Sequence, residues 1–147
     1  MTTDRSKPSI ESCRRRLAII WWAGGGVLIA TMLPLLIGGQ YFSGPADSLG
    51  WLLPHIAPSM MLTGAVPLFG AKPQDRARPE ELTFLYRLAA GSSLAYLLVI
   101  LFVIVIAAFR AGVGDGSASE QLAAWNVVLG VLQGMPASLI GVFFARH

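Results

Sequence analysis

The segment Trp51-Leu-Leu-Pro54-His55-Ile-Ala-Pro58-Ser59 brings an imidazole, a hydroxyl and two prolines into a few helical turns. Proline has no N–H, so Pro58 leaves the Pro54 carbonyl without its usual helical donor, and a kink is expected there. Pro54 itself is expected close enough to a helix start that its own missing N–H costs little. In lipid a free carbonyl must find another partner, and His55 and Ser59 are the nearby polar groups. Two readings stand together: a kinked helix whose polar groups are satisfied by neighbouring helices, or a small site for an ion, a lipid or a peptide. One histidine is too few ligands to argue for a metal.

A second pattern lies nearer the C-terminus. Asn126, Gly130, Gln133, Ala137 and Gly141 recur at steps of 4, 3, 4 and 4, which puts small and amide residues on one helix stripe. Gly130 and Gly134 form a small-x3-small pair that extends to Ser138, and a further Gly141 follows. Such faces allow close helix approach, with amides bonding across the contact. The stripe suits a packing seam within one protomer, a contact with a second copy or a partner, or a pore lining. Pro136 marks another expected kink. At about 1.5 Å per residue, His55 falls roughly 8–9 Å below the outer edge of its span, with Asn126 and Thr31 at similar depth. These three are expected to form an outer polar layer, and Tyr96, Thr63 and Gln133 a second layer near mid-membrane.

The elements that position these residues follow from composition. The chain has 147 residues, 54% hydrophobic and 13% charged, whereas soluble domains are nearer 45–50% apolar with about a quarter charged. Mean hydropathy is +0.62. That excludes a disordered chain, a disulfide scaffold and an ordinary soluble enzyme. The expected fold is an all-α membrane protein, a bundle of four transmembrane helices at about 17–37, 49–70, 86–109 and 121–145, forming one domain behind a basic tail, residues 1–16. Pro79-Glu80-Glu81 reads as the start of the third helix and Ser119 as the N-cap of the fourth. A three-span rival makes the proline-rich second segment re-entrant.

The first apolar run, Leu17–Ile37, is 21 residues long. Signal-peptide cores span about 7–15, and no clear Ala-x-Ala site follows, so the run reads as a retained helix. Gly24-Gly25-Gly26 within it lacks the lysine and preceding strand of a phosphate loop and reads as a packing or flexibility feature. Cys13, the single cysteine, permits no intrachain disulfide. It reads as a reduced thiol in a cytoplasmic tail, or as a juxtamembrane acylation site.

Net charge is +3, but the positive residues sit at membrane edges and do not suggest nucleic acid. Of the 11 Lys and Arg residues, only Arg110 falls in the two loops assigned to the outside. Arg5, Lys7, Arg14, Arg15, Arg16, Lys72, Arg76, Arg78, Arg87 and Arg146 all fall on the other side. The positive-inside rule then puts both termini in the cytoplasm. Trp21, Trp22 and Tyr86 are expected near the inner interface, and Tyr41, Trp51 and Trp125 near the outer one. The basic inner surface is expected to attract anionic lipid headgroups.

No Asp, Glu, Lys or Arg lies well inside any span. Pumps, proton-coupled transporters and voltage sensors need such groups, and a di-cysteine redox enzyme needs a second cysteine. No catalytic, cofactor-binding or metal-ligating set is expected.

Two stretches together resemble a family of small bacterial four-span membrane proteins of unknown function. WLLPHIAPSMMLTGAV resembles their W-L-L-P-x-x-x-P second span, and AAWNVVLGVLQGMPASLIGVFFARH their last span. RLAAGSSLAYLLVILFVI is similar to their third. The resemblance covers most of residues 14–147 and implies architecture and bacterial origin; it brings no activity. His55 and Met60-Met61 depart from the usual residues. The sequence thus predicts a non-catalytic membrane anchor or accessory subunit for a protein partner. A homo-oligomeric channel or membrane-perturbing effector is the alternative, and a lipid-modifying or redox enzyme lacks candidate acid–base pairs.

Overall fold

The computed structural model describes residues 10–37, 45–69, 79–114 and 117–145, without the side chains of 35, 36, 45–48, 65–69, 79, 80, 82 and 143–145. Among the described residues there are four helices and no strand: α1 Ile10–Ile37, α2 Pro45–Phe69, α3 Pro79–Gly112 and α4 Ala118–Ala145. Residues 1–9 of the expected tail, Tyr41, the expected loop 71–78 and Arg146-His147 lie outside them.

Each helix starts where local chemistry favours it. α1 begins at Ile10 with Glu11 in its first turn, where the positive dipole end favours a carboxylate. It takes in Arg14, Arg15 and Arg16, good helix formers, so residues 10–16 are helix and not an irregular tail. α2 begins at Pro45, a residue suited to the first helical position. That is four residues before the expected start, and it changes the reading of Pro54. Pro54 lies deep in the helix, so its missing N–H deprives the Gly50 carbonyl of a donor. α2 nevertheless runs as one helix of 25 residues.

α3 starts at Pro79 as expected and continues for 34 residues. It ends through Val113 N–H bonds to the carbonyls of Phe109 and Arg110 (both 3.2 Å) and a Gly114 N–H bond to Ala111 (3.2 Å). Gly114 then turns the chain at φ 89°, a conformation that glycine adopts without Cβ strain. The N-cap of α4 is Ser117, not Ser119. Ser117 Oγ accepts from Glu120 N–H (3.3 Å), and Glu120 Oε2 accepts from Ser117 N–H (3.2 Å). This reciprocal S-x-x-E pairing satisfies two orphan donors; from Ser119 the third residue on would be Leu122, which offers no acceptor. Arg110 Nη1 donates to Gln121 Oε1 (3.1 Å), tying the two helix ends together.

The closely packed pairs are α1 with α2, α1 with α3, α3 with α4, and α2 with α4. The helices therefore run around a ring in the order α1, α2, α4, α3. Trp51 meets Leu122 and His55 meets Asn126; this constant register makes α2 and α4 parallel. Trp21 meets Ser93 and Gly24 faces Leu97, so α1 and α3 are parallel too. Gly25 faces Met60 while Gly64 faces Trp22, the crossed register of an antiparallel pair.

The centre of the ring is filled by Leu17, Trp21, Leu28, Met32, Leu52, Ile56, Ile100, Ile104, Leu122, Leu129 and Ile140. The outside is apolar as well: Val127, Val131, Met135, Phe102, Leu98 and Met61 are all exposed. An apolar surface of this extent marks a lipid or protein environment. Among the described residues, three helical stretches are long and apolar enough to cross a membrane, Ile10–Pro34, Thr83–Gly112 and Ala118–Val142.

Candidate functional site

The polar residues singled out in the sequence converge on α2. Its inward face carries Trp51, His55, Ser59 and Thr63, all buried and spaced by four. His55, 6% exposed, is the centre of the group. Its Nδ1 lies 3.3 Å from the Tyr96 hydroxyl of α3. Its Nε2 lies 3.3 Å from Asn126 Oδ1 of α4. An amide oxygen only accepts, so Nε2 carries a hydrogen, and in the neutral ring Nδ1 accepts from Tyr96. α2 and α3 are not a closely packed pair; the Tyr96–His55 bond crosses the ring between them. The Trp51 ring meets the imidazole at 5.2 Å and 63°, while its indole N–H donates to the Leu122 carbonyl of α4 (2.8 Å).

The carbonyl stranded by Pro58 has found a donor. Gln133 Nε2 of α4 donates to Pro54 O (3.3 Å) and to His55 O (3.2 Å). The partner expected among His55 and Ser59 is therefore supplied by the amide of another helix. A glutamine side chain reaches across a helix contact, whereas imidazole and hydroxyl both point inward from the same helix as the carbonyl.

The two expected polar layers are one cluster with two absentees. Tyr96 joins His55 and Asn126 instead of Thr63. Thr31 donates to the Val27 carbonyl on its own helix (2.8 Å). Thr63 donates to Ser59 O (2.8 Å) and Met60 O (3.1 Å), also on its own helix. Both hydroxyls are satisfied locally, as threonine in a helix permits. Ser59 Oγ, fully buried, has no hydrogen-bond partner among the described residues.

The small-residue stripe does not serve as a seam within the protomer. A Cβ at Gly130, Gly134 or Gly141 would meet nothing within 4 Å. Ser138 donates to the Gly134 carbonyl of its own helix (2.6 Å). The inward face of α4 is instead Ala118, Leu122, Leu129, Pro136 and Ile140, with Gln133 half-buried at its edge. Asn126 reaches inward from an exposed position on the same edge.

Two of the tryptophans expected near the interfaces are buried inside the helix bundle. Trp21 is fully buried; its indole N–H donates to Ser93 Oγ (3.1 Å), and its ring lies 6.3 Å from that of Tyr96. Trp51 is buried through the contacts given above. A signal was present: adjacent helical residues point about 100° apart, so Trp21 and Trp22 could not both face outward. Trp22 is the exposed one, at 56%. Cys13 is buried in the core cluster with Leu17, which speaks against the acylation reading, since acyl transfer needs an accessible thiol.

Chemically the cluster is a chain of neutral donors and acceptors around one imidazole. It binds three helices together. No protein family, curated protein or solved structure matches this chain.

Proposed function

We propose that this protein is a non-catalytic integral membrane protein, an anchor or accessory subunit that docks a protein partner within the membrane. On this reading α2 is a fourth span, the four helices form a transmembrane bundle, and both termini lie in the cytoplasm of a bacterial inner membrane. The observation that carries it is the direction of the two α4 amides. Asn126 and Gln133 bond to His55 and to the Pro54 and His55 carbonyls inside the protomer. A pore would turn such amides toward an axis between copies. Spending them internally leaves α4 an outer surface of Val127, Gly130, Val131, Gly134 and Met135, suited to helix contact.

The test is capture of the tagged full-length protein from mild detergent, beside a Gly130→Leu/Gly134→Leu variant. A stoichiometric partner held by the wild type and lost from the folded variant supports the reading. Ion flux in liposomes containing only the purified protein would replace it with the channel reading.

A further inference from the structure

Nothing in an anchoring role uses the imidazole at the centre of the ring. We propose that His55 is an intramembrane proton-binding site, whose occupancy switches the Tyr96 hydroxyl from donor to acceptor and so re-pairs α2 with α3. The inference goes beyond the anchor reading and does not depend on it.

The geometry is receptive to both states of the ring. In the neutral state Nε2–H donates to Asn126 Oδ1, and the Tyr96 O–H donates to Nδ1, each at 3.3 Å. A proton delivered by water takes the Nδ1 lone pair, forming an N–H bond as the O–H bond of its donor breaks, and the hydrogen bond from Tyr96 to Nδ1 is lost. The Tyr96 hydroxyl must then rotate, so that its oxygen accepts from Nδ1–H. Asn126 Oδ1 goes on accepting from Nε2–H. The Trp51 ring, 5.2 Å away, lies within the range over which an aromatic π system attracts a cation. Among the described residues the shell thus offers two oxygen acceptors and an aromatic ring, and no cation. The hydrogen released from the Tyr96–Nδ1 bond needs a new acceptor. Ser59, one turn along the same buried face, carries a hydroxyl with no hydrogen-bond partner among the described residues.

The other charged and titratable groups stand away from the ring. On α1 the group is Glu11, Cys13, Arg14, Arg15 and Arg16, all at its N-terminal end. The α1 turn level with His55, by the register that sets Gly25 against Met60 and Ile56, is Val27–Thr31 and holds none. α3 has Glu80, Glu81 and Arg87 near its start, Tyr86 beside them, and Arg110 at its other end. α4 contributes Glu120 in its first turn, and α2 contributes Asp47 near its own start. Among the described residues, His55 therefore faces one titratable side chain from the helices packed around it, Tyr96. Histidine is also the one side chain whose ordinary titration falls at about pH 5–8.

The chain has 2 histidines, so a His147→Ala background leaves His55 as the sole imidazole. The experiment is ring-nitrogen NMR of that full-length protein in lipid nanodiscs, from about pH 8 to about pH 5. The expected result is the Nε2–H tautomer at the alkaline end. It should convert reversibly and in one step to the doubly protonated ring, with a matching shift in the Tyr96 ring signals. In Tyr96→Phe the titration midpoint should move, since Nδ1 has lost its partner. A ring that stays neutral across the range overturns the proposal. So does a midpoint unchanged in Tyr96→Phe, or a titration without any response at Tyr96. Should Tyr96→Phe fail to fold, the coupled His55 and Tyr96 signals of the parent protein decide alone. Partner capture at about pH 7.5 reads the anchor function separately, because the imidazole is not on the outer face of α4.

Discussion

Gln133 hydrogen-bonds the carbonyl of Pro54, the carbonyl that Pro58 deprives of its helical donor. A defect written into one helix is thus repaired from another, and the α2–α4 contact gains a specific register. Gln133→Leu should therefore destabilise the protein by about 1–2 kcal/mol, because it leaves that carbonyl without a donor. Pro58 is exposed, and Pro58→Ala would restore a backbone donor at little packing cost. In the Pro58→Ala background the Gln133→Leu penalty should shrink to below about 1 kcal/mol, the common scale of hydrogen bonds between membrane helices. Reversible unfolding in mixed micelles across the four variants measures this coupling.

The three glycines of α1 should separate cleanly. A Cβ at Gly24 would stand 2.6 Å from Leu97 Cδ1, and one at Gly25 2.9 Å from Met60 Sδ, whereas at Gly26 it would meet nothing within 4 Å. Gly24→Ala should cost about 1–3 kcal/mol through overpacking. Gly25→Ala should cost less, because a methionine thioether adapts. Gly26→Ala should stay within about 0.5 kcal/mol of wild type. Unfolding midpoints in the same micelles rank them.

Trp21 and Ser93 form a buried pair at 3.1 Å, and removing one partner leaves the other polar group stranded. Trp21→Phe and Ser93→Ala should each destabilise by about 1–3 kcal/mol. Their combination should cost less than the two singles added, because it leaves no orphan. A double-mutant cycle reads the difference directly.

Cys13 is 3% exposed, so a maleimide reagent should label it slowly in the folded protein and rapidly after denaturation in SDS. A gel-shift time course distinguishes this from a free juxtamembrane thiol, which would label at once in both states.

Helix number and the approximate helix limits were legible because apolar run length and proline placement are local properties. The start of α2 was not, since Pro45 precedes a polar stretch that hydropathy alone assigns to a loop. The members of the cluster were visible as polar residues in apolar runs, and the need of the Pro54 carbonyl for a partner followed from Pro58. Which group would answer it depended on the neighbour of α2, and helix order is not encoded in any single span. Thr31 and Thr63 went astray for a related reason: a hydroxyl that satisfies itself on its own helix leaves no trace in spacing. Tyr96 reaches His55 through the length of its ring, which depth reckoned from Cα positions ignores.

The ring order also bears on how the molecule comes together. α1 with α2, and α3 with α4, are two antiparallel hairpins, set side by side. The hydrogen bonds Trp21–Ser93, Trp51–Leu122, His55–Tyr96, His55–Asn126 and Gln133–Pro54 all run from one hairpin to the other. Gly24 against Leu97 crosses the same boundary. Each half, inserted by itself, would show lipid a set of polar groups that only the other half can meet. The chain is in this sense a tethered heterodimer. Severed within 70–78 and made as two polypeptides, the halves carry what they need to recognise each other.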